Sequence, residues 1–99
     1  MSETFDEIFN LEFPVTVYQD ITLWEEEEVN GLYEWNGSEH SITIHISITP
    51  DSPEWDNTLA HEYIHAWQYE MGLKLSHGKV FKWWAEKLAE YGYQVSKRQ

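Results

Sequence analysis

The chain has 99 residues with a net charge of −12, sixteen aromatic residues and no cysteine. That is the material of one small domain. It excludes disulfides, Cys-ligated zinc ribbons and iron–sulfur centres, and no apolar run approaches the roughly 20 residues of a membrane span. The charge is lopsided: no Lys or Arg precedes Lys74, whereas sixteen Asp and Glu lie between the start and Glu70. Such a body repels phosphate backbones, which argues against nucleic acid as a partner. Lys74, Lys79, Lys82 and Lys87 read as solubilising residues on helix faces. The acidic N-terminus has no apolar stretch, so the expected location is the cytoplasm, without a secretory signal or membrane association.

In chain order, Thr4 to Glu7 fits a capping box, and Phe5, Ile8 and Phe9 follow at helical spacing. Phe13-Pro14 should close this first helix, because a residue before proline avoids the helical region. Val15 to Tyr18 alternates as a strand, and the run Glu25 to Glu28 reads as a solvated acidic loop. Leu32 to Trp35 is a second short strand, followed by the tight-turn signal Asn36-Gly37. The strongest strand pattern is Ser41 to Thr49, where Ile42, Ile44, Ile46 and Ile48 share one face and polar residues the other.

Pro50 to Pro53 breaks that strand. Asp51 with Glu54, or Ser52 with Pro53 at the first helical position, can then start a helix running to about Met71 and stopped by Gly72. A loop over Leu73 to Ser76 leads to a last helix from near His77 to about Tyr91, with Val80, Phe81, Trp84, Leu88 and Tyr91 as its apolar stripe. Gly92 ends it, and Ser96 to Gln99 reads as a frayed tail. The expected fold class is α+β: a small three-stranded antiparallel sheet packed against two or three helices, in a single domain over residues 1–99.

The chemistry concentrates in His61-Glu62-Tyr63-Ile64-His65. Histidines four apart on a helix lie on one face, about one turn apart, and can converge on one metal ion. Glu62 is rotated to the side, where its carboxylate reaches a metal-held water without ligating the metal, as a general base requires. A catalytic zinc takes three protein ligands. The metzincin spacing is absent, since Gln68 and Met71 stand where Gly and His would be required. His77, followed by Gly78 and with Phe81 one turn on as a wedge, is one candidate. Glu86, about twenty residues after the motif, is the other.

His61-Glu62-x-x-His65 followed by His77-Gly78-x-x-Phe81 resembles the SprT-like zinc metallopeptidase family, and the likeness spans about Leu59 to Leu88. The resemblance implies a compact zincin-like domain, Zn2+ held by His61, His65 and His77, Glu62 as catalytic base, and hydrolysis of peptide bonds in a peptide or protein substrate. It further implies that the isoleucine strand, Ser41 to Thr49, is an edge strand on which substrate docks, with His45 or Ser47 in reach of it. Tyr63, Tyr69, Tyr91 and Tyr93 are the candidates for stabilising an oxyanion. Two other readings stand beside this one: a zinc-binding protein that is non-catalytic or latent, and an acidic binding protein that imitates DNA.

Overall fold

The computed structural model describes residues 2–20 and 30–96. Its elements are α1 (Ser2–Phe9), β1 (Val15–Asp20), β2 (Gly31–Trp35), β3 (His40–His45), α2 (Pro53–Glu70) and α3 (Lys79–Glu90). The acidic run Glu25 to Glu28 lies outside the described residues. Among the described residues no helix is long and apolar enough to cross a membrane.

The three strands form one mixed sheet in the order β1-β3-β2. β2 and β3 are the expected antiparallel hairpin, with Gly31 opposite Ile44 and Trp35 opposite His40. Their connection is fixed by Asn36, whose Oδ1 accepts the N–H groups of Ser38 and Glu39 at 3.0 Å each, and by Gly37, which takes φ 102°. β1 departs from the antiparallel expectation: it lies parallel to β3, with Val15 opposite His40 and Asp20 opposite His45. Alternation reports which residues face inward but not the direction of the neighbouring strand. β3 is therefore the central strand, not an edge.

Strand β3 also ends sooner than its isoleucines suggest. Ile42 and Ile44 are fully buried and Ile48 nearly so, but Ile46 is 54% exposed. The ladder runs out at His45, where β1 and β2 stop supplying partners, and Ile48 N–H closes a turn onto the His45 carbonyl at 3.0 Å. Ile48 thus reaches the core from a turn. The parity of β3 extends backwards instead: His40 shares the inward face of Ile42 and Ile44 and is fully buried.

Helix α2 starts where local chemistry places it. Ser52 accepts the Trp55 N–H at 3.2 Å and Pro53 occupies the first turn, with Glu54 and Asp56 favourable to the helix dipole. It ends at Met71, and Gly72 turns the chain at φ 74°. The helix is enclosed by β2, β3, α1 and α3, and every residue from Thr58 to Ile64 is buried. Helix α1 begins at Ser2, two residues before the expected cap, and ends at Asn10 in the left-handed region (φ 50°). Its Phe5 packs on Tyr63 and Tyr93, and Phe9 on Trp84 at 4.2 Å between ring centroids. Helix α3 begins at Lys79 and buries Phe81, Trp84 and Leu88, while Val80 and Tyr91 of the expected stripe are exposed. The expected frayed tail is corrected at Ser96, whose carbonyl is bonded to His61; residues 97–99 lie outside the described residues.

One buried polar knot fastens the sheet to the end of α2. Glu70 accepts the N–H groups of Glu12 and Phe13 at 2.6 and 3.0 Å, and His40 Nε2 donates to it at 2.5 Å. His40 Nδ1 meets the Tyr33 hydroxyl at 2.6 Å. An acid in the last turn of a helix opposes the dipole, and these donors offset that cost. Burial alone would raise the Glu70 pKa; the Glu12 N–H, the His40 ring and the Phe13 N–H outweigh it and hold the carboxyl below its ordinary value. A carboxyl depressed on folding contributes stability that is complete above its unfolded pKa and is lost as pH falls through the folded one. Glu70→Gln is therefore expected to cost about 1.5–3 kcal/mol at neutral pH and to flatten the acid limb in urea unfolding followed from pH 7 to pH 3. Parallel acid limbs in the variant and the wild type would contradict this.

Candidate metal centre

The centre is built on α2 because four residues, slightly more than one helical turn, separate His61 from His65. The two rings lie 5.0 Å apart between centroids. Gly72 reverses the chain, and the following loop returns His77 to 5.1 Å from both rings, which makes an almost equilateral triangle. Phe81, in the first turn of α3 and one turn after His77, closes the triangle from behind, with its ring 4.9 Å from His61, 5.7 Å from His65 and 4.7 Å from His77. The wedge role expected of Phe81 is what the packing shows.

The donor set fits a metal ion. One nitrogen from each of His61, His65 and His77 falls within 4.8 Å of the others, and the Nε2 atoms of His61 and His77 are 3.2 Å apart. Ligands at about 2.0–2.1 Å around a tetrahedral ion sit about 3.3 Å from one another. The far side of each helix histidine is held by a second partner. His61 Nδ1 donates to the Ser96 carbonyl at 2.7 Å. His65 Nδ1 donates to Gln68 Oε1 at 2.9 Å. Gln68 itself cannot flip, because its Nε2 donates to the Ser76 carbonyl at 3.1 Å and its Oε1 accepts the Ser76 N–H at 3.3 Å. With protons fixed on both Nδ1 atoms, the Nε2 lone pairs are left for a cation.

The electrostatics agree. Burial first, then the neighbouring His65, push the His61 pKa down to about 4 against the opposing Ser96 hydrogen bond, with His77 lowering it further. Burial also lowers His65, opposed by its Gln68 hydrogen bond and assisted by His77. Both imidazoles are thus neutral near pH 7, the form that ligates. Glu62 Oε2 stands 3.9 Å from His61 Nε2, and burial pushes its carboxyl up to about 8. A bound divalent cation would act in the opposite direction.

Strand β2 passes directly over Glu62. A Cβ on Gly31 would lie 3.0 Å from Glu62 Oε2 and 2.8 Å from Thr58 Cγ2, so only glycine admits this approach. The roles of Gly31, Gln68, Ser76 and Ser96 were not read from the sequence. Only Gly31 left a signal there, as a glycine opening a strand.

The other candidates go elsewhere. Glu86 lies five residues beyond Phe81, about 140° around α3, on an exposed face beside Trp83, Lys87 and Glu90, so it does not join the cluster. His45 and Ser47 bond to one another at 2.7 Å at the end of β3. With β3 central, the docking edge expected over Ser41 to Thr49 is not available. The Tyr63 hydroxyl donates to Asp6, Tyr69 stacks on Trp35, Tyr93 packs on Phe5, and Tyr91 is exposed.

A small α+β domain whose central helix and following loop converge three histidines, with a carboxylate alongside, defines a domain of the His-Glu-x-x-His kind whose histidines could hold a metal ion. The SprT-like family model matches residues 3–99, and the chain belongs to the SprT-like family. No curated protein sequence matches it.

The close approach at Gly31 has a direct test. Gly31→Ala is expected to destabilise the fold by about 1–3 kcal/mol through overpacking. Much of that loss should return in a Thr58→Ser background, which removes the clashing Cγ2 and keeps the hydroxyl. A double-mutant cycle in denaturant showing simple additivity would contradict the contact.

Proposed function

We propose that this domain is a zinc-dependent metallopeptidase core, with His61, His65 and His77 as metal ligands and Glu62 as general base. The observation that carries the reading is the convergence of three imidazole nitrogens within 4.8 Å, with the Glu62 carboxylate beside them. Membership of the SprT-like family supports it. Three imidazoles and no sulfur suit zinc in a catalytic setting. When bound, zinc supplies Lewis acidity, polarising a carbonyl and making a water acidic.

The chain's own groups do the rest. Glu62 accepts the proton of the attacking water as its oxygen adds to the scissile carbonyl carbon, and then delivers that proton to the departing amine. Its burial keeps bulk water from competing for the proton, and the backbone at Gly31 restricts where its carboxylate can sit. Strand β2 replaces β3 as the docking edge. Among the described residues it pairs only with β3, and an extended peptide added along its other edge would run past Gly31 and Glu62.

Glu62→Gln is the decisive variant. It is expected to keep about one zinc per chain and to lose at least about 100-fold in hydrolysis of a fluorogenic peptide library, the lower end for loss of a general base. Undiminished hydrolysis in Glu62→Gln would overturn the role of Glu62. A wild-type chain that binds zinc but cleaves nothing in the library would favour a non-catalytic or latent zinc protein.

A further inference from the structure

We propose that the C-terminal strap, residues 93–96, is a working part of the metal centre, and that its docking sets how tightly the histidines hold their ion. The inference rests on the metal-centre reading above. The strap leaves α3 at Gly92, in the left-handed region at φ 96°, and has no regular secondary structure. It is nevertheless fastened at every residue. Tyr93 N–H donates to the Leu88 carbonyl at 3.1 Å, and its ring packs on Phe5 at 4.9 Å. Gln94 N–H donates to Asn57 Oδ1 at 2.9 Å, Val95 packs against the core, and the Ser96 carbonyl accepts from His61 Nδ1 at 2.7 Å. Asn57 and His61 are one helical turn apart on α2, so the strap follows that face of the helix and ends on the first histidine.

The chemistry of the last contact gives the strap its role. A carbonyl oxygen only accepts, so the Ser96 contact requires the proton of His61 to be on Nδ1 and leaves Nε2 bare, 3.2 Å from Nε2 of His77. Without Ser96 the Nδ1–H loses its fixed acceptor, and the tautomer with its proton on Nε2, which cannot ligate through Nε2, is no longer disfavoured. His65 is different, since its partner Gln68 belongs to α2 itself. Through the Ser96 carbonyl the strap acts on His61. Linkage makes the effect reciprocal: metal binding tightens the strap by the same factor that the strap tightens the metal. A cleft of about 360 Å³ is lined by the first half of the strap together with Pro53, Asp56 and Asn57 of α2. Gln94 and Ser96 are exposed, so a partner can reach the strap from outside, and whatever draws it away lowers metal affinity without touching a ligand.

The test compares zinc affinity, by competition with a chromogenic chelator, in three proteins: the full chain, a chain ending at Gln94, and Asn57→Ala in the full chain. The shortened chain should bind zinc about 10- to 100-fold more weakly, as for loss of a second partner of a ligating histidine, and Asn57→Ala should fall in between. In metal-free protein, the slowly exchanging His61 Nδ1 proton should be visible by NMR in the full chain and lost in the shortened one, while that of His65 persists. That difference separates positioning of His61 from general loosening. Zinc affinities of the full and shortened chains within twofold of each other, or loss of both imidazole signals together, would overturn the proposal. If the shortened chain fails to fold by circular dichroism, the decision passes to Asn57→Ala: wild-type affinity, with faster hydrogen exchange at Val95 and Ser96, overturns it. A full chain that binds no zinc overturns the metal-centre reading and this inference with it. A full chain that binds zinc without peptidase activity overturns only the peptidase reading.

Discussion

The site depends on a buried amide. Gln68 is almost wholly inaccessible, and its side chain does two jobs. It grips both backbone groups of Ser76, which anchors the loop before His77, and it accepts the Nδ1 proton of His65. Two of the three histidines sit on one rigid helix, but the third arrives on a loop. Gln68 thus ties the segment that precedes His77 to α2 by side-chain hydrogen bonds, beside the packing of Phe81 against the three rings. A polar residue in a core normally costs free energy. Here it is satisfied, and it couples the position of one ligand to the tautomer of another.

The same logic recurs through the domain. His40 and Glu70 bind the sheet to the end of α2, and Ser96 binds the C-terminal strap to His61. A domain of this size buries a limited apolar core, and it supplements that core with polar contacts that are specific in direction as well as energy. The enclosure of α2 follows from this economy. Its buried segment includes His61, Glu62 and Gln68 among apolar residues, so the face that carries the histidines is a piece of the interior. The neutral imidazoles and the protonation-prone Glu62 are consequences of that burial.

What could be read from the sequence was what neighbouring residues decide among themselves. Ser52 with Pro53, Gly72 and Gly92 delimit the two later helices because capping and left-handed turns are local events. The spacing of His61 and His65 fixed their shared face for the same reason, and Phe81 was legible as a wedge one turn after His77. Contacts made at a distance were not legible. Nothing in Val15 to Asp20 states that β1 runs parallel to β3. The length of β3 depends on where Asp20 and Gly31 stop pairing, so Ile46 looked like core and is exposed. The choice between His77 and Glu86 turned on the rotation of α3 about Phe81. Ser96 gave no signal, because its part in the site is played by a backbone carbonyl that every residue possesses.

The central claim is a single metal ion held by three histidines, and zinc content per chain in wild type and His77→Ala, purified side by side without a tag, tests it most directly. The account predicts about one zinc per wild-type chain and a clearly depleted variant, since two imidazoles on one helix turn leave the ion without its third protein ligand. Equal zinc in both proteins, or none in either after zinc is added, would contradict it.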